Sequence, residues 1–331
     1  TGKPKGCVHY HRDILASADS FARYVLKPEP GSRWACSAPI AFTFGLGMLL
    51  IFPWRFGGAA VTIEQPGPKP LLDAIGRHGA THLATAPTAY KAMIPMLGDH
   101  DISTLSTCVS AGEHLPAATW HAWHEATGLR IVDGIGATEM MHIFISASGD
   151  EIRPGATGKA VPGYRACVLG EDDAPLPPPA TGRLAVKGPT GCRYFDDERQ
   201  SNYVVNGWNV TGDTYREDEE GYFWYLARSD DMIISAGYNI AAPEVENALL
   251  SHPAVQECAV IGVPCDERGQ KVKAFVVASA PVRTEELQAH VKRAIAPYKY
   301  PREVEFVEAL PKTATGKLQR YVLRAHRKTS E

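Results

Sequence analysis

Residues 59–87 read AAVTIEQPGPKPLLDAIGRHGATHLATAP, and this stretch decides the fold class. Ala59 to Ile63 is apolar and β-branched, the composition of a buried strand. Leu71 to His78 reads as a helix that ends at Gly79. His82 to Ala86 is strand-like again, and Pro87 starts the next turn. A strand, a helix and a second strand in so short a span argue for layered α/β structure with a parallel sheet.

The same alternation continues on both sides. Thr107 to Ser110 is a short strand before Gly112, Trp120 to Thr127 is helical up to Gly128, and Arg130 to Val132 resumes as a strand. Upstream, residues 13–26 read as a helix with Asp13 as N-cap, closed by Pro28 and Gly31. From Trp34 to Trp54 there is no charge, a length that could span a bilayer. Ser37, Pro39, Gly45, Gly47 and Pro53 break that run, so it reads as a buried strand, loop and helix.

After about residue 146 the character changes. Glycines at 155, 158, 163, 170, 182, 188 and 191 punctuate short strands such as Arg165–Leu169 and Arg183–Lys187, the pattern of antiparallel structure and of a small β-barrel. A further change comes at Arg228-Ser229-Asp230-Asp231. Beyond it lie a helix at Pro243–Leu250, strands at Cys258–Val263 and Lys273–Val277, a helix at Thr284–Ala296 and a strand at Glu303–Phe306. The expectation is a large α/β domain over residues 1–228 and a small α+β domain over 229–331.

Composition sets limits. A chain of 331 residues is too long for one comfortable core. A net charge of -3 argues against a general nucleic-acid or membrane-surface binder, though not against a local phosphate site. Seven scattered cysteines form no CxxC pair and fit reduced thiols in the cytoplasm; twelve histidines include no HExxH. The chain opens directly on a glycine-rich loop without a methionine or a preceding strand, and reads as a fragment whose beginning is missing.

Four segments carry chemistry. Thr1-Gly2-Lys3-Pro4-Lys5-Gly6 offers glycines that let a phosphate approach the backbone and lysines that neutralise it; its bland reading is a basic turn. Gly134-Ile135-Gly136-Ala137-Thr138-Glu139 follows a strand and ends in a hydroxyl and a carboxylate. That carboxylate suits Mg²⁺ on a triphosphate, or else is a solvated glutamate in a turn. Trp208-Asn209-Val210-Thr211-Gly212-Asp213 places an acid where it could take both ribose hydroxyls, or merely forms an Asx turn. Lys317, in Pro311-Lys312-Thr313-Ala314-Thr315-Gly316-Lys317, could deliver a point charge to a transition state, or be a surface lysine.

In order, TGKPKG (1–6), SAGEHLP (110–116), GIGATE (134–139), WNVTGD (208–213), ARSDDMIISAGYNIAAPEVE (227–246) and PKTATGK (311–317) resemble the acyl-adenylate-forming superfamily. That superfamily includes acyl-CoA ligases, peptide-synthetase adenylation domains and luciferases, and the resemblance spans the whole chain. It implies a large adenylate-forming domain, incomplete at its N-terminus, followed by a mobile lid domain, with ATP, Mg²⁺ and coenzyme A as cofactors. By resemblance, Thr1, Gly2 and Lys3 cover the β- and γ-phosphates, while Ser110, Gly112, Glu113, Asp133 and Gly134 lie beside the adenine. Thr138 contacts phosphate, Glu139 holds Mg²⁺, and Asp213 with Arg228 binds the ribose. Asp230 matches the hinge, Gly237 and Tyr238 the pantetheine tunnel, and Lys317 the adenylation lysine. The family's Ser/Thr/Gly run and long N-terminal region precede the point where this chain starts.

Two segments, residues 38–47 and 139–144, look like those of benzoate- and 2-aminobenzoate-CoA ligases. Phe44, His142 and Ile143 would wall a flat, short pocket suited to a ring, and Thr43 would favour an amino or hydroxyl substituent. His142 also reads as a core histidine with a satisfied hydrogen bond. The expected partners are therefore an aromatic acid, ATP and CoA, with no nucleic acid and no membrane. The alternatives are an adenylation domain that loads a carrier protein and a non-catalytic nucleotide-binding fragment. Oligomeric state has no signal in the sequence.

Overall fold

The computed structural model describes residues 5–228, 231–312 and 318–325. Thr1, Gly2, Lys3, Asp230 and Lys317 lie outside the described residues. The chain divides into two compact units, one reaching Thr211 and including Tyr215–Tyr225, the other holding Gly212–Thr214 and the chain from Leu226 onward.

The first unit opens with strand β1 (Cys7–Val8) and the helix His11–Ser17, which continues as the π-wound segment Ala18–Leu26. Asp13 is not the N-cap expected of it. The helix starts earlier, Tyr10 caps it, and the Asp13 carboxylate reaches back to accept the Tyr10 amide at 3.0 Å. An acid in the first turn can satisfy the cap amide in this way. Lys27, with φ 50°, turns the chain out of the helix before Pro28.

Seven strands follow in one sheet: β2 (Arg33–Cys36), β3 (Ala59–Val61), β4 (His82–Thr85), β5 (Thr107–Ser110), β6 (Ile131–Gly136), β7 (Ile143–Ser146) and β8 (Lys159–Ala160). Their order is β3-β2-β4-β5-β6-β7-β8, parallel from β3 to β6 and antiparallel beyond. Helices Pro68–His78, Pro87–Met93 and Ala117–Thr127 make the crossovers. Alternate strand residues enter two cores. Ala35, Leu83, Cys108 and Ile131 pack with Leu71, Ile75, Tyr90 and Trp123 on one face. Trp34, Cys36, Ala84, Val109 and Val132 pack with Phe21, Met48, Phe52 and Phe144 on the other. A sheet covered on both faces takes apolar residues on both sides of its central strands, which is why Trp34–Cys36, Leu83–Ala84, Cys108–Val109 and Ile131–Val132 run without the polar alternation of a half-exposed strand.

The expected buried strand at 59–63 is shorter and less buried. β3 pairs only with β2, at the sheet edge, and Ala59 is exposed. The uncharged run at 34–54 is strand β2 and a helix wound from Thr43–Leu46 through Gly47–Ile51 to Phe52–Arg55. No helix among the described residues is long and apolar enough to cross a membrane.

The glycine-punctuated region forms β9 (Arg165–Leu169), β10 (Ala180–Lys187), β11 (Arg193–Tyr194), β12 (Val204–Val205), β13 (Trp208–Glu217) and β14 (Phe223–Arg228). Where a small barrel is expected, a five-stranded sheet runs β12-β13-β10-β9 with β14 beside β13. β11 leaves it to pair antiparallel with β1, Cys7 facing Tyr194. This pairing fixes the chain just after the TGKPKG loop.

The second unit carries β15 (Ile233–Ser235), β16 (Tyr238–Ile240), β17 (Val255–Cys265), β18 (Gly269–Ala278) and β19 (Glu303–Phe306) in the order β16-β15-β18-β17, with β19 on β18. Helices Ala242–Leu250 and Thr284–Ala294 pack on it through Val245, Leu249, Leu287 and Val291. The observed strands are longer than the expected ones because β17 and β18 pair as one long hairpin from Val255↔Ala278 to Cys265↔Gly269.

Candidate active site

In open α/β sheets, ligands bind beyond the carboxyl ends of parallel strands. Here β5 ends at Ser110, and the chain turns at Gly112, whose φ of 89° suits glycine. Glu113 follows, half-buried. Ser110 pairs in register with Asp133 on β6. Burial raises the Asp133 carboxyl to about 8; the Gly134 amide and the nearby Ser110 hydroxyl oppose this, but neither Asp133 Oδ1 nor Ser110 Oγ makes a well-formed hydrogen bond, so burial prevails. Gly134 answers a packing need as well: a Cβ there would lie 2.7 Å from the Ile143 side chain.

The connection from β6 to β7 carries Thr138, Glu139 and His142 of the expected residues. Thr138 is exposed, and Glu139 is largely covered. The Tyr194 hydroxyl donates to Glu139 Oε1 at 2.6 Å, and Lys5 Nζ donates to the same oxygen at 3.2 Å. Lys5 also donates to the Tyr194 hydroxyl at 2.8 Å. Burial alone would raise the Glu139 carboxyl, but the Tyr194 hydroxyl, the residue's own amide and Lys5 outweigh it, and the group is held below the ordinary glutamate value. Burial and the adjacent Glu139 push the Tyr194 hydroxyl well up.

Glu139 and the nearby hydroxyls offer hard oxygen donors, and among the described residues no group of three or more His, Cys, Asp or Glu could cage a metal. Mg²⁺ needs no such cage, since it keeps water and binds through one or two carboxylates plus substrate phosphates. The donor set fits that ion.

After Glu139 the backbone bends sharply. Met141 sits at φ 67°, a strained setting for a side-chain-bearing residue. The Thr190 hydroxyl donates to the Met140 carbonyl at 2.8 Å and the Met141 amide donates to the Thr138 carbonyl at 3.2 Å, so the bend is held from both sides. His142 then enters the core. Its ring lies 4.6 Å from Phe52, edge-on, 5.5 Å from Phe21 and 6.0 Å from Phe44. Neither ring nitrogen makes a well-formed hydrogen bond; the Phe44 backbone lies close enough to favour the charged ring slightly, but burial outweighs it and drives the pKa down to about 3, so it is a neutral imidazole. Gly47 lies against it: a Cβ there would fall 2.4 Å from the ring. Thr43 opens the helix that carries Phe44, half-buried.

In the second unit, Arg228 Nη1 donates to Asp213 Oδ1 at 3.1 Å. Gly212, at φ 78°, would bring a Cβ to 3.1 Å from the Arg228 guanidinium, so the glycine makes room for the pair. Gly237, at φ 79°, tips the β15–β16 hairpin, where a Cβ would meet nothing within 4 Å. Tyr238 is exposed and stacks on Tyr298 with centroids 4.5 Å apart.

Two residues at the first site were not singled out by sequence reasoning. Lys5 is one of the two lysines read as neutralising phosphate, but its pairing with Glu139 was not expected. Tyr194 sits on a two-residue strand far along the chain, and no local motif marks it.

The chain as a whole has relatives of known family. Residues 1–194 match the AMP-binding enzyme family, and residues 244–317 match the AMP-binding enzyme C-terminal domain. The chain belongs to the family of AMP-binding enzymes. It is 40% identical to a benzoate–CoA ligase of Thauera aromatica, across 98% of this chain and 64% of that protein. It is 41% identical to the human mitochondrial acyl-coenzyme A synthetase ACSM4 across 76% of this chain and 46% of that one. The crystal structure of the anthranilate CoA ligase AuaEII with anthranoyl-AMP superposes with a TM-score of 0.92 at 40% identity, covering 98% of this chain and 65% of that one. The chain thus spans less than two thirds of the length of these relatives.

Proposed function

We propose that the protein is an ATP-dependent aryl-CoA ligase. In the first step an oxygen of the aromatic carboxylate attacks the α-phosphorus of ATP, forming aryl-AMP and releasing pyrophosphate. In the second the CoA thiol attacks the acyl carbon and AMP leaves. The observation that carries the aryl reading is His142, buried among Phe21, Phe44 and Phe52 with neither ring nitrogen in a well-formed hydrogen bond and only the Phe44 backbone close by. An unmet buried donor costs about 1–3 kcal/mol, and a flat acid with a polar group beside its ring would recover it. 2-Aminobenzoate is an acid of this type and benzoate offers the same flat ring without the substituent, with Thr43 and Ile143 completing the wall.

On this reading Ser110, Gly112, Glu113, Asp133 and Gly134 flank the adenine, Thr1, Gly2, Lys3 and Thr138 meet phosphate, and Asp213 with Arg228 takes the ribose. Glu139 would hold Mg²⁺, which when bound neutralises charge on the phosphate oxygens. Lys317 supplies positive charge as pyrophosphate leaves, Asp230 is the hinge between domains 1–228 and 229–331, and Gly237 and Tyr238 line the thiol's approach. The seven free thiols suit a reducing, cytoplasmic setting.

Pyrophosphate release by the full-length protein, across benzoate, 2-aminobenzoate and fatty acids of increasing length, tests this. Benzoates should give the highest kcat/KM, and turnover to a thioester should require CoA. A fatty acid as best substrate would move the protein toward the acyl-coenzyme A synthetase relatives. Adenylation without any CoA-dependent product would favour a carrier-protein acceptor, and no pyrophosphate at all a nucleotide-binding role without turnover.

A further inference from the structure

We propose that His9 is a positioning residue for the phosphate end of this site, holding the Thr138–Glu139 turn to the segment that follows the TGKPKG loop; the role rests on the adenylation reading above. His9 comes directly after β1. Its Nε2 lies 2.7 Å from the Thr138 carbonyl oxygen. A carbonyl can only accept, so Nε2 donates. On the other side, Nδ1 lies 3.1 Å from Asp13 Oδ2, which also only accepts, so both contacts are hydrogen bonds when each ring nitrogen carries a proton; Asp13 is 1% exposed. The same Asp13 oxygen accepts the Tyr10 amide at 3.0 Å. The ring is thus gripped from behind by a buried carboxylate that is itself anchored to the helix start.

This chain of carboxylate, imidazole and carbonyl is built like the outer shell of a metal site, where a hydrogen bond to one group aims the next. Its target is a single carbonyl with two claims on it, His9 Nε2 and the Met141 amide. Between them they hold the carbonyl of Thr138, immediately before Glu139. Lys5, four residues before His9, holds the Glu139 side chain itself. One short segment therefore grips the turn at two points, one on the backbone and one on the carboxylate.

The two grips differ in what a nucleotide would do to them. A triphosphate competes for Lys5, because ammonium groups pair with phosphate oxygens as readily as with carboxylates. It could also accept from His9 Nε2, but that ring is held at its other nitrogen by the buried Asp13 and is less free to turn than the flexible, partly exposed Lys5 chain. When Lys5 turns to phosphate, the His9 link remains and keeps Glu139 aimed. Sequence reasoning had no purchase on this, since His9 and Thr138 are 129 positions apart.

Three variants of the full-length protein separate the two ring nitrogens. The amide nitrogen of glutamine reaches about as far as Nε2, whereas that of asparagine reaches about as far as Nδ1. His9→Gln therefore keeps the Thr138 bond, His9→Asn keeps only the Asp13 bond, and His9→Ala keeps neither. Titration calorimetry measures the Kd of a non-hydrolysable ATP analogue with Mg²⁺, and steady-state assays give KM for the acid. His9→Asn and His9→Ala should weaken nucleotide binding by about 10-fold, the low end for loss of an outer-shell contact, with His9→Gln within about threefold of wild type. KM for the acid should stay nearly unchanged in all three. Wild-type affinity in His9→Ala overturns the proposal, as does His9→Asn outperforming His9→Gln. An acid KM that moves as far as the nucleotide Kd also overturns it, since that marks general loosening. If the wild-type protein itself bound no Mg²⁺-nucleotide, the adenylation reading would fall first; binding that every variant retained would sink the His9 role alone.

Discussion

The β6–β7 connection and the β15–β16 hairpin both carry candidate site residues, yet they are built in opposite ways. In the first, Glu139 is clamped by Tyr194 and Lys5, the strained Met141 is flanked by hydrogen-bonded carbonyls, and His142 is walled by three phenylalanines. In the second, Gly237 has open space around it, and Tyr238 is half exposed with the stacked Tyr298 ring against it. On the proposed reading the first would orient a metal and an acid, and such a group is worth fixing from all sides. The second would serve only one half of a two-step reaction, and such a loop gains nothing from being fixed.

The largest effect that would sharpen this contrast belongs to Lys317. If the C-terminal region serves by arriving and leaving, Lys317→Ala should cut formation of acyl-AMP by roughly two to three orders of magnitude, comparable to losing one strong electrostatic donor. Thioester formation from pre-made acyl-AMP and CoA should be largely spared. Equal loss of both steps in a folded variant would remove the distinction between a fixed and a moving half. Next in size is Glu139→Gln. A neutral amide keeps the Tyr194 contact but is a poor ligand for a hard cation, so ATP turnover should fall by about 10- to 100-fold with an unchanged melting curve. Near wild-type adenylation at limiting Mg²⁺ would show that the clamp serves only the fold.

A smaller effect is expected at Gly47. The added methyl of Gly47→Ala would fall 2.4 Å from the His142 ring, so the ring must shift. KM for aromatic acids should rise several-fold while the Kd for nucleotide is retained. An unchanged acid KM would mean that His142 does not touch the substrate.

The two constructions were not equally legible in the sequence. The helix ending at His78 was, because Gly79 takes the left-handed conformation, φ 59°, that favours glycine at a helix end. The alternation of strands and helices from β4 to β6 was legible for the same local reasons. That Ala59–Val61 is an edge strand was not, because apolar composition does not say how many neighbours a strand has. Nor was the start of the first helix, where Asp13 acts from inside the turn. Glu139 stood out by its motif, but its clamp did not, since Lys5 and Tyr194 come from 134 and 55 positions away. Local signals fix the elements, while long-range pairing makes the site.

The smallest expected effect compares the two acids of one element. Asp133 lies within β6 and Glu139 just past its end, and their surroundings push them apart: burial raises Asp133 to about 8, while hydrogen bonds and Lys5 hold Glu139 below its usual value. Their contributions to stability therefore differ in pH window and in sign. Between the ordinary aspartate value of 3.8 and about 8, the folded state holds a proton on Asp133 that the unfolded state has lost. Stability must then fall as pH rises through that window, and level off above it. Glu139 has already lost its proton in both states across the upper part of the same window, and its contribution declines only as the medium becomes acidic enough to protonate it. Asp133→Asn has nearly the same shape and cannot titrate. In nucleotide-free protein, its melting temperature relative to wild type should therefore climb by a few degrees between pH 5 and pH 8, whatever the offset at pH 5. The difference, not either curve alone, isolates Asp133 from every other titrating group. A difference that stays level over this range would mean that Asp133 is charged in the folded protein, with its oxygens satisfied by Gly134 and Ser110. The strand would then carry an ordinary carboxylate, and only the turn beyond it would be specialised.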